Sequence, residues 1–178
     1  MNPLLQDAER LDYAAVQPGH VAPALDVLLA AAEAALEHAV SDAVPATYAA
    51  LSATLDVAVE RLQRAWGTVG HLQAVADTPA LRAAYSDNLG RVTDFHTRLG
   101  ADARLYAKYK RVAADAAALT PAQRKSLADT LRDFVLGGAE LQGAERERFA
   151  HIQDRLAELS QRFGERLLDA TEIGRAHV

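Results

Sequence analysis

The sequence predicts an all-α protein, a multi-helix bundle of about six amphipathic helices with a long last helix, and three observations predict it. Apolar residues recur at three- and four-residue steps along most of the 178 residues, the spacing that lines one face of a helix. Half of the chain is apolar, but alanine supplies much of that share and aromatics only 6%, so the composition favours the strong helix formers Ala, Leu, Arg and Glu. No alternating apolar and polar run competes as a strand, and no internal repeat or low-complexity linker interrupts the pattern.

The elements follow in order. Met1 to Gln17 reads as an extended leader and Pro18-Gly19-His20 as a turn. The first helix carries Pro23 in its opening turn, where a missing N–H is tolerated. Its stripe is Leu25, Leu28, Leu29, Ala32, Leu36 and Val40, and Ser41 to Pro45 breaks it. A second runs from about Ala46 with Tyr48, Leu51, Leu55, Val59, Leu62 and Trp66 on one stripe. Gly67 and Gly70 predict a bend or interruption before His71 to Ala76. Asp77-Thr78-Pro79 caps the third, which bears Leu81, Tyr85, Leu89, Val92, Phe95 and Leu99 and stops at Gly100. A fourth opens at Asp102 with Leu105, Tyr109 and Val112. Thr120-Pro121 opens the fifth, with Leu127, Leu131 and Phe134, ended by Gly137-Gly138. After a loop over Ala139 to Gly143, the last helix carries Phe149, Ile152, Leu156, Leu159, Phe163 and Leu167.

The formal net charge of −5 and the interspersed acids argue against a nucleic-acid surface, which needs clustered Lys and Arg. With no cysteine there is no disulfide framework, thiolate nucleophile or Cys-based zinc site. Met1-Asn2-Pro3-Leu4-Leu5 lacks the basic and apolar regions of a signal peptide, and the Ala/Leu stretches read as too broken by charge to cross a membrane. The expectation is a soluble cytoplasmic protein that binds neither nucleic acid nor membrane.

Candidate chemistry is sparse. The histidines are His20, His38, His71, His96, His151 and His177, and no two lie four apart, the spacing that points two imidazoles at one zinc from a helix. His71 near Trp66 and His96 beside Phe95 read as surface or half-buried structural histidines. Glu145/Glu147 and Glu158/Glu165 alternate with Arg146, Arg148, Arg155, Arg162 and Arg166, which reads as a solvated face laced with ion pairs. No serine sits in a Gly-x-Ser-x-Gly turn and no Gly-rich phosphate loop is present. The aromatic-basic cluster Tyr106, Lys108, Tyr109, Lys110 and Arg111 reads as core and flank, with lysine stems covering apolar surface. On these grounds no residue is given a catalytic or metal-binding role.

Several stretches also match as words. Asn2-Pro3-Leu4-Leu5, Pro18 to Leu25, Leu62 to Val75 with its Trp66-Gly67-Thr68-Val69-Gly70-His71, Pro79 to Tyr85, Leu105 to Lys110, Gln123-Arg124-Lys125 with Leu131-Arg132-Asp133-Phe134, and Arg148 to Thr171 come in one order. Together they resemble the N-terminal region of the bacterial oligopeptidase A family, thimet-oligopeptidase-like zinc metallopeptidases. The resemblance implies an almost wholly helical fold with a deep channel between two halves, and a parent that degrades short peptides. It also implies a catalytic zinc held by a His-Glu-x-x-His helix and a distal Glu, none of which matches a position here. The implied role is structural and substrate-restricting, inactive in isolation, with short peptides and the remaining catalytic portion as partners. It places no substrate contact on any numbered residue. A stand-alone helical interaction module is the competing expectation. The stripe Phe149, Ile152, Leu156, Leu159 and Phe163 is expected to need cover from segments outside this chain.

Residues 172–178 carry no apolar periodicity. Glu-Ile-Gly-Arg-Ala-His-Val back-translates as GAG-ATC-GGA-AGA-GCA-CAC-GTC, which contains the short-read sequencing adapter AGATCGGAAGAGCACACGTC in frame. The expectation is a native region over 1–171 and a read-through tail over 172–178.

Overall fold

The computed structural model describes residues 2–6, 12–115, 117 and 119–175, the side chains of 172–175 excepted. Among these residues there are helices and turns but no strand. Helix α1 is Val21–Val40, α2 Tyr48–Leu51, α3 Val57–Val75, α4 Pro79–Gly100, α5 Ala103–Ala114, α6 Pro121–Leu136 and α7 Gly143–Arg175. A π-helical turn over Ser52–Asp56 joins α2 to α3 without a break, so the six expected helices are all present.

The starts and stops have local causes. Thr78 accepts from the Leu81 N–H, Asp102 from the N–H groups of Arg104 and Leu105, and Thr120 forms a capping box with Gln123. Each satisfies donors that the first helical turn leaves without partners. Gly138, at φ +88°, turns the chain out of α6 in a conformation that costs a glycine little.

Two of the expected features are corrected. Gly67 and Gly70 do not interrupt α3, which runs through both. The penalty of about 1 kcal/mol per helical glycine is outweighed by the flanking burial of Leu62, Ala65 and Val69. Gly70 lies against the Tyr85 ring, whose Cε2 would be in ordinary contact, 3.6 Å, with a Cβ there, and Tyr85 stacks on Trp66 with ring centroids 4.5 Å apart. The leader is not simply extended: Pro3–Leu5 and Tyr13–Ala15 form short 3₁₀ turns, and Leu4 is buried. Asn2 fixes it, donating to the His20 carbonyl at 2.8 Å and accepting from the Leu4 N–H at 3.0 Å.

Helix α1 lies at the centre. Its first half, with Leu25, Leu28 and Leu29, packs on Leu62 and Val69 of α3 and on Leu81, Val92 and Phe95 of α4. Its end, with Leu36 and Ala39, packs on Leu51, Leu55, Leu105, Tyr109, Leu127 and Phe134. Val59 and Leu99 touch both cores and join them. The polar side of α1 is tied down by ion pairs: Asp26 to Arg91 at 2.6 Å, Glu33 to Arg98 at 2.7 Å and Glu37 to Arg104 at 2.7 Å. By length and hydropathy alone Pro18–Val40 would pass as a membrane span, a stretch that the reading of charge had excluded. The fold uses it as the core helix, with eight buried residues.

Helix α7 packs along α4. The residues it half-buries are Phe149, Ala150, Gln153, Ala157, Glu158, Gln161, Gly164, Glu165 and Leu168, mostly small or polar. Ile152, Leu156, Leu159, Phe163 and Leu167 are exposed, Phe163 to 71%. The helix continues past Thr171 to Arg175; residues 176–178, the end of the expected tail, lie outside the described residues.

Candidate functional site

A trough opens where helices from both cores meet. One cavity of about 540 Å³ lies between Leu55, Val59, His96, Leu99, Tyr109 and Phe134. A second, also about 540 Å³, lies between Trp66, Val92, Leu136 and Phe149. His96, Gly100 and Asp133 line both, so the two run together. The π-helical turn sets one wall: it carries Leu55 and Asp56, and Thr54 Oγ1 donates to the Ala50 carbonyl at 2.8 Å within it. Helical turns of this kind leave an irregular backbone and recur at functional sites.

The trough is apolar inside and acidic at its edge. Asp56, Glu60 and Asp133 line it, and no Lys or Arg does among the described residues. His96 meets the Phe95 ring edge-on, centroids 5.4 Å apart. Burial pushes its pKa below the usual 6.5, so the imidazole is neutral at pH 7. Burial likewise pushes the Tyr109 hydroxyl up, keeping it protonated. This arrangement can accept an apolar or cationic side chain. It contains no nucleophile hydrogen-bonded to a base, the pairing that bond-breaking by a side chain requires.

The residues present do not fit a catalytic zinc. Among the described residues no three His, Asp or Glu side chains converge as metal ligands. The carboxylates of Asp77 and Asp169 both face Arg82, at 2.5 Å and 2.8 Å, tying α7 to the start of α4. Zinc ligands must be neutral or anionic groups aimed at one point, and a guanidinium occupies that point here. Asp77 is nearly buried, its side chain 8% exposed, and its Oδ1 has no hydrogen-bond partner. Alongside, Gln161 Nε2 donates to Glu165 Oε1 at 2.9 Å and to Ser86.

The aromatic-basic cluster on α5 proves to be a joint between helices. Tyr109 and Tyr106 are buried as expected, but Lys108 is more than a stem over apolar surface: the whole residue is 2% exposed. Its ammonium donates to the carbonyls of Ala39 and Ser41, each at 2.6 Å, at the end of α1. There it satisfies carbonyls that the last turn leaves open and meets the negative end of the helix dipole. Burial lowers its pKa, nearby Arg111 adds to this, and Asp42 opposes it. Lys110 lies 4.2 Å from the Tyr106 ring centroid, and the Tyr106 hydroxyl donates to Glu140 at 2.9 Å. His71, by contrast, is exposed and meets Tyr13 edge-on at 5.5 Å. The spacing of Lys108 between two buried tyrosines, with a helix end elsewhere needing a donor, was the only sequence signal for its role.

Comparison with known proteins decides the family. A family model for the neurolysin/thimet oligopeptidase N-terminal domain matches residues 25–146, from within α1 to the first turn of α7. The chain belongs to this family. Its relatives include the organellar oligopeptidase A, chloroplastic/mitochondrial, of Arabidopsis thaliana, 37% identical over 173 residues, which are 96% of this chain and 22% of the relative. Oligopeptidase A of Salmonella typhimurium is 34% identical and that of Escherichia coli 33%, each over 96% of this chain and 25% of the relative. The chain therefore spans about a quarter of the length of the curated relatives it matches. Because those alignments cover 96% of this chain, they include most of α7, which the domain model leaves out.

Proposed function

We propose that this chain is the N-terminal, structural and substrate-restricting part of a zinc-dependent oligopeptidase that degrades short peptides in the cytoplasm. The observation that carries the reading is likeness to oligopeptidases along 96% of this chain but about a quarter of theirs. On this reading the zinc, its His-Glu-x-x-His helix and the attacking water belong to the remaining portion. Residues 1–171 supply a wall that narrows access, none of them catalytic or metal-binding, and 172–178 are a read-through tail. The acidic trough is wide enough to take a peptide side chain, and sites of this size hold ligands by apolar lining with a few polar groups.

The test is to put residues 1–171 in place of the matching region of the Escherichia coli relative and follow cleavage of a quenched fluorescent peptide. The expected result is zinc-dependent cleavage of the short peptide, with a folded protein left intact. The separate 178-residue chain, given zinc, should cleave nothing. Stoichiometric zinc binding with chelator-sensitive cleavage by the chain alone would overturn the proposal. The exposed stripe on α7 favours a second reading, a stand-alone helical interaction module. A continuous reading frame reaching His-Glu-x-x-His supports the first, and a natural stop codon near Thr171 supports the second.

A further inference from the structure

We infer that α7 is a docking helix whose exposed stripe receives an amphipathic helix flanked by carboxylates, contributed by the remainder of the same polypeptide; this rests on the oligopeptidase reading above. The inference starts from orientation. A surface helix normally turns its apolar stripe to the core, whereas α7 sets Gln153, Ala157, Gln161 and Glu165 towards α4 and leaves Ile152, Leu156, Leu159, Phe163 and Leu167 outside. The α4 seam is also held by specific polar bonds, from Arg82 to Asp169 and between Gln161 and Ser86, so a simple roll of the helix would break them. A row of large apolar side chains that long on a soluble surface marks an interface.

Its spacing sets the kind of partner. The exposed Ile152, Leu156, Leu159 and Phe163 alternate four and three apart, the seam that a second helix fills by knobs-into-holes packing. Along the side of this seam away from α4 run Arg148, Arg155, Arg162 and Arg166, all exposed. Glu158 pairs with Arg155 and Arg162 at 2.5 and 3.1 Å, while Arg148 and Arg166 have no ion-pair partner among the described residues. An excess of positive charge thus borders the seam. Antiparallel pairing of two copies would set arginine row against arginine row. Parallel pairing would set it against the neutral Gln153 and Ser160. Neither offers a counter-charge, so complementarity selects a different helix with Glu or Asp beside its apolar row. The family match supports that source: the match to the N-terminal domain model ends at residue 146, α7 begins at Gly143, and about three-quarters of the relatives' length lies outside the aligned region.

The first test uses the 178-residue chain and two synthetic helical peptides with the same leucine seam, one flanked by Glu and one by Lys. The chain should sediment as a monomer and bind the Glu peptide at least about tenfold more tightly at low salt, with the preference fading as salt rises. The paired change Leu156→Asp and Phe163→Asp should abolish binding with helical circular dichroism unchanged, while Val57→Asp, equally apolar and exposed on α3, should not. Equal binding of both peptides, indifference to the paired change, or a dimer of the chain that the paired change dissociates would each overturn the inference. The second test takes the fusion with the Escherichia coli relative. One melting transition that the paired change splits into two supports the same-polypeptide source, and two transitions without it refute that source. A fusion that melts as one unit yet cleaves no peptide would instead count against the oligopeptidase reading alone.

Discussion

Helix α1 and helix α7 are both long and both amphipathic, yet they set opposite faces against the rest of the molecule. In α1 the apolar stripe goes inward, and Asp26, Glu33 and Glu37 face outward to be met by arginines of α4 and α5. In α7 the small and polar side is covered, and the large apolar residues meet solvent. Fully burying one such side chain is worth roughly 1.5–3 kcal/mol, so the five on α7 hold an unused stabilisation comparable to the roughly 5–15 kcal/mol that keeps a whole domain folded. The difference teaches that a helical period reports a stripe without reporting what covers it.

The contrast can be broken most sharply from the α1 side. Phe95, 1% exposed against α1, should cost about 3–5 kcal/mol when changed to Ala, read as a lowered midpoint in urea. A loss near 1 kcal/mol would mean that the first core is loosely packed. Next comes the joint at the end of α1. Lys108→Met keeps the stem and removes the ammonium, leaving the Ala39 and Ser41 carbonyls without their donor. Stability should fall by roughly 2–3 kcal/mol, with faster hydrogen exchange confined to the last turn of α1.

A smaller effect is pH-dependent. His96 has its folded pKa below 6.5, so the unfolded chain takes up the proton first. Its contribution is whole above about pH 6.5 and declines below it, with a slope no steeper than about 1.4 kcal/mol per pH unit. His96→Leu should remove that slope while leaving the acid unfolding at lower pH. That second phase begins as pH falls through the ordinary carboxylate range, where the unfolded chain is protonated first, and extends below it, because bonds from Arg104 hold Glu37 down in the folded state and bonds from Arg82 hold Asp169 down. At Asp102 burial pulls the other way, and the bonds from Arg104 and the Leu105 N–H outweigh it. The smallest change is expected on α7. Phe163→Ala in the separate chain should move stability by no more than about 0.5 kcal/mol, and a large loss would show that the stripe is already covered.

What the sequence made legible was whatever depends on neighbours along the chain. The stripes of α1 and α4 and the caps at Thr78, Asp102 and Thr120 are local, and they stand where the residues put them. Gly67 and Gly70 misled because a breaker acts only where packing does not hold the helix, and Leu62, Val69 and the Tyr85 ring hold it. The π-helical turn has no residue signature; it lies where the chain passes from Leu51 and Leu55 in the second core to Leu62 in the first. The trough combines residues from Leu55 to Phe149, a distance along the chain over which periodicity carries no information. Lys108 was placed in the right cluster but given too wet a surrounding, because the carbonyls it meets lie 67 and 69 residues away.

At the floor of the trough the ends of α4 and α6 meet without side chains between them. A Cβ on Gly137 would lie 2.7 Å from the Gly100 carbonyl oxygen, closer than packed atoms approach. One wall of the trough can be recut by exchanging the exposed Leu136 for another apolar residue, away from the joint that Val59 and Leu99 make between the cores. A single methyl group at Gly137 would act as a wedge, prising the two helix ends apart and widening both cavities at once. Directed variation of what the trough accepts thus has a fixed hinge pin at its base and free material above it.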